Sequence, residues 1–483
     1  MRVLSVTPEF FPLIKTGGLA DVAGALPLAL APLGVEMRTL LPAYRSVWEQ
    51  VGGVEPVAAL DDLFGGPARL LAARSAAGAG LLLLDAPHLF DRPGNPYLGP
   101  DGRDWPDNHR RFAALARVAH RIGTGLLESW RPEIVHGHDW QAGLAPAYLA
   151  LGGAPRPGTV FTIHNLAFQG VFPAYLLGEL GLPSSAFSLH GLEYFGSIGF
   201  LKAGLFYADR LTTVSPTYAR EIQTPTHGMG LDGLLRARAA DLVGITNGID
   251  TAVWDPARDP HLAAPYDAAD PLPGKARNKQ ALQERFALEP RERACLFCAV
   301  SRFTGQKGID LILDVLPEIF GHDAQLVVLG SGDPRLESAF RAAASAHPGR
   351  IGFVAGYDEP LSHLIQGGAD VILVPSRFEP CGLTQLIGLR YGTLPLVSRV
   401  GGLADTVIDA NEAALADGVA TGFQFAPVTA EALADAIARA IGLFRDRALW
   451  EAMVRRAMTR AVGWDRAAQH YRDLYASLLA SRG

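Results

Sequence analysis

Short apolar runs alternate with helix-like segments along this chain in two series, and no other feature of the sequence limits the fold as strongly. The first series is Val3 to Val6, Leu81 to Leu84, Ile134 to His136, Val160 to Ile163 and Leu211 to Val214. The second is Leu296 to Val300, Gln325 to Leu329, Ile351 to Val354, Val371 to Val374 and Leu394 to Val397. Runs of this kind, bounded by turn signals and separated by helical patterns, predict parallel sheets with crossover helices. Between the series, residues 251–290 are rich in Pro, Ala and Asp and weakly periodic, which predicts a linker and then the entry to a second domain. A chain of 483 residues is too long for one core. Two α/β domains facing a cleft are therefore expected, with ligands beyond the carboxyl ends of the strands. Helical apolar spacing in Leu433 to Phe444 and Ala467 to Leu479 predicts terminal helices.

Composition narrows the function. A net charge of -6 argues against a nucleic-acid or acidic-membrane surface, so an anionic ligand must be met by local basic residues. Three cysteines cannot build a disulfide framework, and the N-terminus has no basic stretch followed by a long apolar one. A cytoplasmic protein is expected. Cys295 and Cys298 have metal-like spacing, but they lie in an apolar run with no second Cys/His pair nearby, which favours core packing. The uncharged stretch 157–178 is interrupted by His164, Asn165, Gln169 and Pro173, so no membrane span is expected.

Several motifs follow the strand-like runs. Lys15-Thr16-Gly17-Gly18-Leu19-Ala20-Asp21 opens a helix-like segment after the first run. Two glycines, helix-start N–H groups and a mobile cation suit an anion, although an ordinary strand-to-helix turn has the same pattern. Gly401-Gly402-Leu403-Ala404-Asp405 repeats the last five residues after the final run, which implies two related halves. Ser301 to Gly308 places Arg302 and Lys307 in one loop, a pair suited to a diphosphate without a metal. In Phe378 to Thr384, Glu379 precedes a helix start whose N–H groups at Gly382, Leu383 and Thr384 suit a phosphate. A carboxylate there fits best beside a neutral, hydroxyl-rich group, which points to a nucleotide sugar. His136-Gly137-His138-Asp139-Trp140 and His164-Asn165 end two neighbouring strands, in no standard zinc spacing. No Asp-x-Asp triplet occurs in the chain, so metal independence is expected.

Lys15 to Val22, Arg92 to Tyr97 with Asp104 to Asn108, His138-Asp139-Trp140, His164-Asn165, Asn247-Gly248-Ile249-Asp250, Ser301 to Gly308 and Phe378 to Thr384 resemble the motifs of bacterial glycogen synthases and plant starch synthases, in the same order and across most of the chain. The resemblance implies a GT-B fold: two Rossmann-like domains with parallel sheets facing a deep interdomain cleft. It implies an N-terminal acceptor-side domain over 1–250, a nucleotide-sugar-binding domain over 251–455, and a helix over 456–483 returning to the first. It also implies retaining transfer of glucose from ADP-glucose to the non-reducing end of an α-1,4-glucan such as glycogen, with no cofactor and no metal.

By the same resemblance, Lys15, Gly18, Arg302 and Lys307 bind the diphosphate, and Asp21 lies near the nucleotide end. His164, Asn247 and Glu379 face the glucosyl group, and Asp139 lies near the reacting sugar. Donor binding extends over Cys381, Gly382, Leu383 and Thr384, with Tyr357 beside the base. Tyr97 is the acceptor-side candidate. The catalytic set is then His164, Glu379, Arg302, Lys307 and Asp139. Gln141, where many relatives carry His, and Ile387 with Gly388, in place of Tyr and Ala, depart from the pattern. A glycosyltransferase of the same fold acting on a lipid or small-molecule acceptor, and a catalytically dead nucleotide-sugar sensor, are the rival expectations.

Overall fold

The computed structural model describes residues 1–153 and 155–482, which divide into two compact units, Met1–Asn247 with the segment from Trp464 onward, and Gly248–Gly463. Each apolar run of the two series coincides with a strand. The first unit contains β1 (Arg2–Val6), β2 (Glu36–Pro42), β3 (Glu55–Leu60), β4 (Ala68–Arg74), β5 (Gly80–Asp85), β6 (Ile134–His138), β7 (Gly158–Ile163), β8 (Val171–Pro173), β9 (Glu193–Tyr194), β10 (Ser197–Gly199), β11 (Arg210–Thr213) and β12 (Leu242–Gly244). Nine of these form one sheet in the order β12-β11-β7-β6-β1-β2-β5-β4-β3, and β8, β10 and β9 form a small separate sheet. The large sheet is parallel except where β4 pairs antiparallel with β3 and β5.

Burial on both faces explains why the central strands read as unbroken apolar runs. In β1, Val3 packs into one cluster and Leu4 and Val6 into another; in β6, Ile134 and Val135 divide in the same way. Side chains of a strand point alternately to the two faces, so both faces are covered. On the Val3 side the cover is the helix Gly18–Leu30 together with the helix Asp465–Ala480, through Val22, Leu26, Ala468, Tyr471, Tyr475 and Leu478. The Tyr475 hydroxyl is 2.7 Å from His136 Nδ1, within the buried layer.

The second unit contains β13 (Leu296–Val300), β14 (Gln325–Gly330), β15 (Ile351–Ala355), β16 (Val371–Val374), β17 (Leu394–Ser398) and β18 (Phe423–Phe425). They pair in parallel in the order β15-β14-β13-β16-β17-β18. The strand order reverses between β13 and β16, and crossovers run to opposite faces at such a point, which opens a crevice beyond the strand ends. The loops that leave β13 and β16 are the segments after Val300 and Val374, and both carry a motif.

The stretch 251–290 holds a 15-residue helix, Pro271–Arg285, that its pattern did not reveal. Its buried face is mostly polar. Lys275 Nζ donates to the Gly367 and Tyr391 carbonyls and to Thr393 Oγ1, Lys279 Nζ pairs with Asp370 Oδ2 at 2.6 Å, and Asn278 Oδ1 accepts from Ala263 N. Gly388 is explained by packing, because a Cβ there would lie 2.8 Å from the Thr393 carbonyl oxygen. Cys295 and Cys298 are buried in the core, and burial pushes both thiols up. Among the described residues, no cluster could hold a metal ion and no helix is long and apolar enough to cross a membrane.

Replacing Tyr475 with Phe leaves His136 Nδ1 buried without its partner, which costs about 1–3 kcal/mol. The expected result is a lower urea midpoint at unchanged slope for Tyr475→Phe; an unchanged midpoint would show that the bond contributes nothing.

Candidate functional site

In the second unit, the loops after β13 and β16 are laced together. Arg377 N donates to the Gln306 carbonyl at 2.8 Å, Gln306 Nε2 to the Phe378 carbonyl at 3.2 Å, and the Arg377 guanidinium pairs with Asp310 at 2.6 Å. Contact is close enough to require glycine. Gly308 has φ +62°, and a Cβ on it would lie 2.0 Å from the Pro375 carbonyl oxygen. This interlock brings Lys307 Nζ to 2.6 Å from Glu379 Oε2, which also accepts from Ser376 Oγ at 2.9 Å. Glu379 is 6% exposed, so the ion pair is poorly screened by solvent. Oε1 of Glu379 accepts no bond from the described residues.

The glycine pair at 401–402 serves the same carboxylate from behind. Gly401 has φ +42°, and a Cβ there would lie 1.9 Å from the Glu379 carbonyl oxygen; Gly402 N donates to that carbonyl at 3.1 Å. This differs from the first pair. A Cβ on Gly17 would meet nothing within 4 Å, so the repeated five residues open two helices but do different work. Cys381 is buried, Gly382 has φ +74°, and Leu383 caps the helix Thr384–Tyr391. Arg302 is exposed beyond β13, and no ion pair engages its guanidinium among the described residues. Tyr357, after β15, is 74% exposed and its hydroxyl meets Glu359.

In the first unit, the glycine-rich turn after β1 is organised by Glu9, a residue the motif reading passed over. Its carboxylate accepts from Thr16 N at 2.5 Å, Thr16 Oγ1 at 2.6 Å and Gly17 N at 3.3 Å, and from the Tyr97 hydroxyl. The negative charge that these two loop N–H groups meet is therefore the chain's own. Burial, and then the Glu9 carboxylate, push the Tyr97 phenol well above its usual range. Lys15 Nζ lies 2.8 Å from Asp21 Oδ1 across the first turn of the helix, and Gly18 is that helix's first residue. The signal for Glu9 was a lone carboxylate in an otherwise apolar stretch just past a strand's carboxyl end.

Asp139 and His164 meet where β6 and β7 end. Asp139 Oδ1 accepts from His164 N at 2.7 Å and Asn165 N at 3.5 Å, and Asp139 itself has φ +55°. Burial raises its carboxyl pKa to about 7 against the lowering effect of those two N–H groups. His138 Nδ1 is 3.0 Å from His164 Nε2, and His136 bonds to the Tyr475 hydroxyl and to Thr162 Oγ1. Burial lowers the pKa of all three imidazoles, that of His138 to about 3. They are neutral near pH 7. Asn247 is 8% exposed, and its Oδ1 is sealed without a partner among the described residues. The structure thus joins Lys307 with Glu379, Asp139 with His164, and Lys15 with Asp21, and it ties Tyr97 to the Thr16–Gly17 turn through Glu9.

Comparison with known proteins agrees with this anatomy. Residues 2–237 match the family described as starch synthase catalytic domain, and residues 281–455 match that described as glycosyl transferases group 1. The chain is 60% identical over 482 residues to a glycogen synthase of Rhodopseudomonas palustris (strain BisB18), covering 100% of this chain and 98% of that protein. It is 58% identical over 479 residues to a glycogen synthase of Roseobacter denitrificans, covering 99% and 100%. Among solved structures, the catalytic domain of starch synthase IV from Arabidopsis thaliana, bound to ADP and acarbose, matches with a TM-score of 0.89 at 30% identity over 99% of both chains. The order of motifs, the two Rossmann-like units and these full-length similarities place the chain in the glycogen synthase and starch synthase family of GT-B glycosyltransferases.

Proposed function

We propose that this chain elongates glycogen in the cytoplasm by transferring glucose from ADP-glucose to the non-reducing end of an α-1,4-glucan, with retention at the anomeric carbon and without a metal or cofactor. The observation that carries this reading is the half-buried Lys307–Glu379 pair beside the strand-order reversal, where a nucleotide sugar is expected in a parallel sheet. It is supported by a relative of 30% identity whose structure holds ADP and acarbose.

The chemistry follows from which atoms are occupied. Glu379 Oε2 already accepts from Lys307 and Ser376. A carboxylate neutralised in this way is a weak nucleophile, and its other oxygen is suited to accepting sugar hydroxyls. As the anomeric bond breaks, charge grows on the leaving diphosphate and is met by Arg302, Lys307 and the N–H groups of Gly382 to Thr384. The departing phosphate takes the acceptor hydroxyl's proton on the face it leaves, which gives retention without a second protein carboxylate. Asp139 holds the main chain of His164, whose neutral ring can hydrogen-bond a sugar oxygen without a charge change near pH 7.

The direct test is release of nucleoside diphosphate with glycogen and EDTA present, ADP-glucose and UDP-glucose being supplied in parallel. Glycogen-dependent ADP release that EDTA leaves unchanged is expected; inhibition by EDTA would overturn metal independence, and turnover of UDP-glucose alone would overturn the donor. Lys307→Ala removes a charge-assisted bond and should lower kcat/KM about tenfold to a hundredfold, whereas unchanged turnover would remove Lys307 from the site. For Asp139 the expected signature is a pH dependence. Its folded pKa of about 7 is above that of an unfolded Asp, so kcat/KM should rise through pH 7 as the carboxylate forms, and Asp139→Asn should lack that limb. The sign for stability is opposite. The folded state retains the proton to higher pH, so stability falls as pH rises from the unfolded pKa of about 4 to the folded pKa of about 7, and with the full cost in place above that, Asp139→Asn should unfold at higher denaturant than the native chain at pH 8. A wild-type profile flat through pH 7 would refute the assignment.

A further inference from the structure

His138 and His164 share one hydrogen bond, Nδ1 to Nε2 at 3.0 Å, and each ring is buried. A bond between two ring nitrogens needs one N–H and one lone pair, and a neutral imidazole has a single proton to place. Two arrangements satisfy it. If His164 donates, His138 must carry its own proton on Nε2, which is sealed from solvent with no acceptor among the described residues. If His138 donates, Nε2 is a bare lone pair. A buried N–H without an acceptor is the rarer of the two in folded proteins.

The rings have no easy way out of this choice. His138 packs against His136 with ring centroids 4.2 Å apart and planes tilted by 36°, and His136 is held at both nitrogens by the Tyr475 and Thr162 hydroxyls. The main chain of His164 is held by Asp139 Oδ1 at 2.7 Å. Protonation offers no alternative either, because burial keeps both rings neutral near pH 7.

We propose that His138 is a positioning residue: by donating its Nδ1 hydrogen to His164 Nε2 it fixes the tautomer of His164, which then presents Nδ1–H as a donor to a sugar oxygen. The tautomer stands on this geometry alone, and the sugar partner rests on the glucosyl-transfer reading above. The consequence is a site that demands an acceptor oxygen at that position of the donor or acceptor sugar, with a demand that does not change across neutral pH.

The test is imidazole NMR on the full chain labelled at histidine, with His164→Gln used to assign the His164 signals. The Nδ1–H form of His164 is expected in the native protein, and an Nε2–H form overturns the proposal whatever the variants do. His138→Asn places an amide N–H near the lost donor and should keep the tautomer. His138→Leu has no donor, so it should mix the tautomers and lower kcat/KM by about tenfold or more, mainly through kcat, about 1.4 kcal/mol in barrier. Equal losses in the Asn and Leu variants would show a packing role and sink the proposal. The tautomer readout needs no substrate, so a failure of the ADP-glucose reading and a wrong tautomer are separate results.

Discussion

The second unit's chemistry depends on backbone touching backbone. The loop after β13 lies against Pro375, and the turn after β17 lies against Glu379 and Cys381, at distances that leave no room for a Cβ at Gly308, Gly401 or Gly402. Parallel strands deliver these loops to the same edge of the sheet, but the sheet alone would set them only roughly. Direct contact sets them to fractions of an ångström, and a lysine on one loop then finds a carboxylate on the other at 2.6 Å. Holding the pair costs little further ordering, because the loops that carry it are already fixed.

The first unit solves a different problem. Its polar layer at the ends of β6 and β7 is buried, and burial there acts on acids and bases in opposite directions. Histidines are driven neutral and remain useful as hydrogen-bonding groups, while Asp139 is lifted into the neutral range. The long helix Asp465–Ala480 is part of that environment, since Tyr475 is the partner of His136, and His138 packs against His136. An element 339 residues away in sequence thus holds the innermost ring of this layer.

Much of this was legible in the sequence, for identifiable reasons. Strands buried on both faces have no choice but to be apolar, so β1, β6, β7 and the central strands of the second unit stood out. β3 and β4 form an antiparallel edge with exposed positions, and β2 begins with exposed Glu36, so their patterns are diluted. The helix Pro271–Arg285 was invisible because its buried face satisfies lysine and asparagine with carbonyls and a carboxylate rather than with leucines. The motifs named Lys307, Glu379, Asp139 and His164, which the structure brings together in two pairs, since the loops at the ends of parallel strands converge there. They did not locate Glu9 or Ser376, whose importance lies in what they touch. Nor did they separate the two glycine pairs: identical residues open both helices, and only the third dimension shows one pair open and the other pressed onto a carbonyl.

Asp139 shows why the sequence alone cannot rank such residues. The fold bears two costs there, a left-handed backbone at φ +55° and a carboxylate 7% exposed, and neither stabilises the protein. What the arrangement yields is direction. The turn at Asp139 ends β6 abruptly, and the side chain then reaches across to the backbone of the neighbouring strand's exit, where His164 N and Asn165 N point at it. A residue chosen for stability at this position would be glycine or asparagine, which adopt the left-handed region readily and carry no charge. Local strain and a buried, ionisable group at the same residue are thus the physical consequence of aiming one strand end at another, rather than a contribution to folding.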